Sequence, residues 1–233
     1  MRSQLPQVAA PISIPLLCMA LLIAATSHGC GEPPPLDTSL LTGDPCEPPC
    51  WQGLIPGEST EEEVNQFVRT SELVDQATVF RGAITMGPRS EVVGVSVQWW
   101  SPANMANLPR QLGNFADIVD GLLQSMTIWL DSEVTLQDLL ERYGPPDKFT
   151  AHRQPGGPQH VSVTLYFASH GFTAELILPW GDVRLRPESE ILYVRYLPVA
   201  PLDQFLDLAT YGASAIEETS QDWQGYGPIE LVP

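Results

Sequence analysis

Four cysteines and four histidines are the residues of this 233-residue chain whose chemistry is most easily read. Cys46 and Cys50 enclose Glu47, Pro48 and Pro49. Thiolates are soft ligands that select Cu(I), and a close pair can also cycle between dithiol and disulfide. With a distant histidine, such a pair could serve an envelope metal- or thiol-redox protein. Against this, "LLTGD" ahead of Cys46 has no character of a buried strand, and Pro48 and Pro49 push the residues before them out of the helical region. The simpler expectation is a structural disulfide. In an exported chain that has lost Cys18 and acylated Cys30, only Cys46 and Cys50 remain to pair. A polyproline path over four steps would part their Cα atoms by about 12 Å, and a disulfide needs less than about 7 Å. The segment must therefore turn sharply, for instance through a cis Glu47–Pro48 or Pro48–Pro49 bond.

The histidines offer a second candidate. His152 and His160 flank the "QPGGPQ" turn, nearly opposite each other across a hairpin, with His170 further on. Two imidazoles across strands can bind zinc, with Glu175 or Asp147 assisting. No cysteine and no tight spacing accompanies them, so exposed strand-end histidines are the plainer reading and no metal is expected. A third candidate is aromatic. Trp99 and Trp100, like Trp129, sit in or next to strands, and alternation turns one of Trp99 and Trp100 outward. The outward ring could stack on a sugar or a partner surface, although a large indole more often fills a core. The chain lacks G-x-S-x-G, H-E-x-x-H, the P-loop and G-x-G-x-x-G. No catalytic residue and no cofactor are expected.

The N-terminus reads as an address. Arg2 is followed by an apolar run, Ile14 to Ala25, too short for a spanning helix and suited to the core of a signal peptide. The small, polar "TSHG" then precedes Cys30. This junction looks like a bacterial lipobox, which implies cleavage of residues 1–29 and diacylglyceryl modification of Cys30; His28, and the lack of Leu three positions before the cysteine, depart from that pattern. Residues 30–49, "CGEPPPLDTSLLTGDPCEPP", read as a stiff, unstructured tether, six of the residues after Cys30 being proline. The net charge of −17 suits solubility and disfavours nucleic acid, whose phosphates demand a Lys/Arg footprint.

Three amphipathic helices must position whatever chemistry there is. "STEEEVNQFV" opens on a capping box at Ser59 or Thr60, with three glutamates in the first turn, where the helix dipole favours them. "TLQDLLERYGPP" repeats the theme, with Thr135 as cap, Asp138 three residues on, and Gly144 and two prolines as the stop. Pro201 to Gly212 gives the third helix. Between them "ATVFRGAITM", "VVGVSVQWW", "GLLQSMTIWL", "DKFTAHR", "HVSVTLYFA", "FTAELIL" and "EILYVRYL" read as strands, mostly in hairpins, and 101–117 reads as a loop. The fold class is α+β: antiparallel β-meanders packed with about three helices in a domain spanning 50–212. Matching Thr60 to Thr135 aligns Val64 with Leu139 and points to two helix-plus-meander units, 50–115 and 116–200. The 213–233 tail reads as irregular.

On these motifs "PCWQGLIPGESTEEEV" resembles the opening of a group of uncharacterised bacterial lipoproteins with a lipidated cysteine and a Pro-rich tether. "IPGESTEEEV", "LLERYGPPDKF" and "VTLYFASHGF" resemble the outer-membrane lipoprotein modules of the SmpA/OmlA type, here with the two halves of the pattern split between the two units. The resemblance spans Cys50–Leu178 and brings no catalytic residue. It implies a membrane-anchored, extracytoplasmic domain with a non-catalytic binding or scaffolding role toward an envelope protein or ligand. A metal or thiol protein using Cys46, Cys50 and a histidine, and a hydrolase with an unrecognised site, are the alternatives.

Overall fold

The computed structural model describes residues 34–86, 90–103, 113–153, 160–209 and 219–231. The signal segment 1–29, Cys30 and the expected helix stop at Gly212 lie outside these residues. The described residues belong to a compact unit that starts at Pro34.

Both capped helices form as their sequences dictate. α1 is a single turn, Ser39–Thr42, and α2 runs Glu61–Thr70. The Thr60 hydroxyl accepts from the Glu63 amide at 3.3 Å, and the Glu63 carboxylate accepts from the Thr60 amide at 2.7 Å. Four strands follow: β1 Phe80–Met86, β2 Glu91–Trp99, β3 Asn114–Val119 and β4 Leu122–Trp129. α3, Leu136–Tyr143, repeats the capping box with Thr135 and Asp138. After it come β5 Lys148–Arg153, β6 His160–Phe167, β7 Phe172–Pro179, the short β8 Arg184–Leu185 and β9 Tyr193–Tyr196. α4, Leu202–Ala209, and β10, Gly227–Pro228, complete the described elements.

The fold is α+β. Eight strands form one antiparallel sheet in the order β1-β2-β3-β4-β9-β7-β6-β5, accompanied by α2, α3 and α4. It consists of two four-strand meanders joined by the pairing of their last strands, Met126–Trp129 with Tyr193–Tyr196. Each half opens on a capped helix whose N-cap threonine bridges back to the chain at or just before its last strand: Thr60 to Leu122 and Thr135 to Glu190. Val64 and Leu139, the matched helix positions, are both fully buried. The division between halves falls after Trp129. The expected boundary at 115/116 would cut through β3, in the stretch read as a loop.

One expectation about the ends is corrected. The second part of the tether docks on the domain: Leu40 is 3% exposed, Tyr143 donates to its carbonyl, and Arg142 pairs with Glu47. Asp37 accepts from the Trp51 indole and from Gln52. The tail, irregular over most of its described residues, also packs on the domain. Gln221 exchanges backbone hydrogen bonds with Phe149 at the outer edge of β5, and Trp223 packs edge-on to Phe149. Trp51 and Trp223, each followed in the sequence by Gln-Gly, thus pack against the same core.

That core lies on one sheet face. Ala116, Met126, Val163, Ala174 and Val194 alternate into it, under Val64, Leu136 and Leu139 from α2 and α3. The other face carries the opposite alternation and is largely polar. α4 lies on part of it, burying Phe205 and Leu206 with Tyr166, Ala168 and Leu197.

Candidate functional site

The polar face is where sequence alternation and burial disagree. Ser125, Thr127, Thr150, Ser162, Thr173 and Glu175 all point to it and are all buried. Strand register sets Trp129, Tyr193, Glu175, Thr164 and Thr150 in one row across five strands. Glu175 is 8% exposed. Its carboxylate accepts from the Ser162 hydroxyl and from Thr164 Oγ1, the latter at 2.6 Å, and Tyr193 stands directly across from it on β9. Burial outweighs these bonds and pushes the Glu175 carboxyl up to about 7. Burial and the neighbouring Glu175 charge push the Tyr193 phenol up as well. Tyr166 and Thr150 share a hydroxyl hydrogen bond at 3.1 Å in the same cluster.

Beside this cluster a groove of about 800 Å³ opens between the β1–β4 half of the face and α4. Its apolar lining includes Ile84, Val93, Phe115, Val119, Leu197 and Leu208. Its polar lining includes Ser96, Gln98, Gln124, Asp117, Asp120 and Arg195. Ser125, also in the wall, donates to Asp117 Oδ2 at 3.2 Å and accepts from Arg195 Nη2 at 3.3 Å. Arg195 Nη1 donates to the Ala209 carbonyl at 3.0 Å, so a cation holds the last turn of α4 against the sheet. Asp120 sits at the rim because Asp120 and Gly121 both adopt positive φ, +52° and +77°, in the two-residue β3–β4 turn. Gln204 and Asp207 of α4 line the facing wall.

The expected site residues lie elsewhere. Cys46 and Cys50 form a disulfide with Cα atoms 5.7 Å apart, and the Pro48–Pro49 bond is cis. His152 and His160 share the polar face but are offset: His152 pairs with Ser162, and His160 with Pro179. Glu175 is held by hydroxyls, and Asp147 accepts from the Ala168 amide at 2.8 Å. Among the described residues, no three His, Cys, Asp or Glu side chains are gathered as metal ligands. Trp99 is not an exposed platform. It is 0% exposed, 6.2 Å from the Trp51 ring and 6.2 Å from Phe67, because its strand position faces the core. Trp100 is half-buried; its backbone accepts from the Asp75 amide at 2.9 Å and donates to Thr78 Oγ1 at 3.0 Å.

The floor of the groove includes β3, which overlaps the 101–117 stretch that the sequence reads as a loop. "VDGLL" held the signal: Asp-Gly between alternating apolar runs marks a tight hairpin and would have placed a strand before it.

Compared with known proteins, the chain matches no family model, and no curated protein or solved structure resembles it significantly. Among the described residues no helix is long and apolar enough to cross a membrane.

Proposed function

We propose that this chain is a lipid-anchored extracytoplasmic domain with a non-catalytic binding role, and that the groove between β1–β4 and α4 is its binding site. One observation carries the reading. The groove has the volume of a small-molecule site and the corresponding mixture: a mainly apolar wall with a few convergent amides, hydroxyls and carboxylates. The lipobox-like junction at Cys30, and the resemblance to envelope lipoproteins of the SmpA/OmlA type, support the anchor and the compartment.

Two experiments test the reading. Replacing Cys30 by Ser should abolish acyl labelling and leave the chain unprocessed or released; a variant that stays membrane-bound with an unchanged N-terminus removes the anchor. Ser96→Trp places an indole opposite Asp117, in the middle of the groove. Native mass spectrometry of protein released from its own membrane should find a bound species on the wild type that this variant lacks. If the same species persists on a folded Ser96→Trp variant, the groove is not the site.

A further inference from the structure

We infer that the groove takes a small amphipathic amine, an apolar body carrying a protonated nitrogen; this rests on the groove being the binding site. Shape and charge lead to it separately. Ile84, Phe115 and Val119 are outward positions of β1 and β3, and Leu197 and Leu208 close the side toward α4. A trough of about 800 Å³ with that lining buries the apolar body of a small ligand.

The charged side chains of the described lining are mostly acidic. Asp117, Asp120 and Asp207 contribute three carboxylates, against one guanidinium, Arg195, among the described lining residues. That guanidinium is directed at Ser125 Oγ and the Ala209 carbonyl. An anionic ligand would therefore approach carboxylates, whereas an ammonium group gains from them, by an amount that salt reduces. The field of the whole chain, at −17, acts in the same direction. A bare metal ion fits less well, because the three carboxylates do not converge with other ligands. A charge carried at the end of an apolar body suits both the spread of the acids and the apolar floor. Ser96, Gln98 and Gln124 offer uncharged oxygens to the remaining ammonium hydrogens.

The test uses the full chain in phosphatidylcholine nanodiscs, with empty discs as the blank, and isothermal titration calorimetry. The probes are phenethylammonium, 2-phenylethanol, 3-phenylpropionate and a short apolar peptide bearing one lysine. Phenethylammonium should bind about tenfold more tightly than 3-phenylpropionate at low salt, with the preference shrinking at high salt. The double variant Asp120→Asn, Asp207→Asn should lose most of that preference; asparagine keeps the positive φ that the turn requires at position 120. Ser96→Trp should abolish binding, with Val119→Trp as the second blocking variant should the first fail to fold. Equal or tighter binding of the alcohol or the carboxylate, lost on Ser96→Trp, overturns the amine and leaves a binding groove. Binding of the peptide alone overturns the small ligand. No binding by any probe, or binding that a folded blocking variant retains, overturns the groove itself.

Discussion

Replacing Glu175 by Gln should change how the stability of this protein depends on pH. Glu175 is enclosed on the polar face, 8% exposed, and its carboxyl is raised from 4.5 to about 7 by burial. A raised carboxyl binds its proton more tightly in the folded state, so its stabilising effect is complete below about pH 4.5 and is lost as pH rises through 7. A difference of about 2.5 pH units corresponds to about 3 kcal/mol, of which roughly 2 to 3 kcal/mol falls between pH 5 and 8. Glutamine cannot ionise and still accepts a hydroxyl hydrogen bond. The assay is urea denaturation, followed by tryptophan fluorescence, of both proteins across that pH range. The same face also carries Tyr193 and Arg195 on β9, His160 and Tyr166 on β6, and Lys148 and His152 on β5. They are common to both proteins, so the quantity read is the difference between the two profiles. The wild type should fall relative to Glu175→Gln by roughly 2 to 3 kcal/mol from pH 5 to 8. Parallel profiles over the whole range would refute the reasoning and place a charged, well-stabilised carboxylate in that cluster.

Leu40→Ala should lower stability by about 2–5 kcal/mol and Tm by roughly 5–15 °C, because the 3%-exposed side chain leaves a cavity; an unchanged Tm in a calorimetric scan would return the 34–45 segment to a loose tether. Removing the disulfide with Cys46→Ala and Cys50→Ala should cost about 2 kcal/mol, the chain entropy of so short a loop. Alkylation of the unreduced wild type should find neither thiol free, and two free thiols would refute the pairing and favour the metal or redox alternative. Thr60→Ala and Thr135→Ala should each cost about 1 kcal/mol in chemical denaturation through loss of the N-cap; a null effect at both would mean that tertiary packing alone sets the two helix starts.

Local rules made the helices and most strands legible. Thr60 with Glu63 and Thr135 with Asp138 need only a few residues to define a start, and Val64 and Leu139 then fall on the buried stripe. The docking of Leu40 was hidden by the six prolines around it, since composition speaks for the chain as a polymer and one leucine decides the contact. β3 was hidden by the Asn, Pro and Gly residues that precede it. With β3 went Phe115, Asp117 and Val119, and so the floor of the groove. The facing wall was illegible for another reason. The apolar stripe of α4 gives its inward residues, Phe205 and Leu206, but Gln204 and Asp207 are the polar positions that any surface helix carries, and only the packing of α4 turns them toward a cavity. Glu175, read from "FTAELIL" only as a candidate aid to a zinc pair, is enclosed by Ser162, Thr164 and Tyr193 from the neighbouring strands, which its own strand does not reveal.

The groove follows from an asymmetry between two halves of like order. Each half is a capped helix and four antiparallel strands, and the halves meet through β4 and β9. After β9 the chain is free to continue, and it turns through Pro201 into α4, which lies over the polar face. After β4 only the residues 130–135 separate Trp129 from the first residue of α3, and Thr135 is already committed as its cap. A helix of α4's length cannot fit there. The first half therefore acquires no covering helix from that connection, and among the described residues the outward side of β1–β4 lies beside α4 of the second half. Arg195 binds that helix at its last turn while its other nitrogen reaches Ser125 on β4, so a single side chain ties the cover of one half to the open strands of the other. Among the described residues, the groove therefore lies at the seam between the two halves, beside α4.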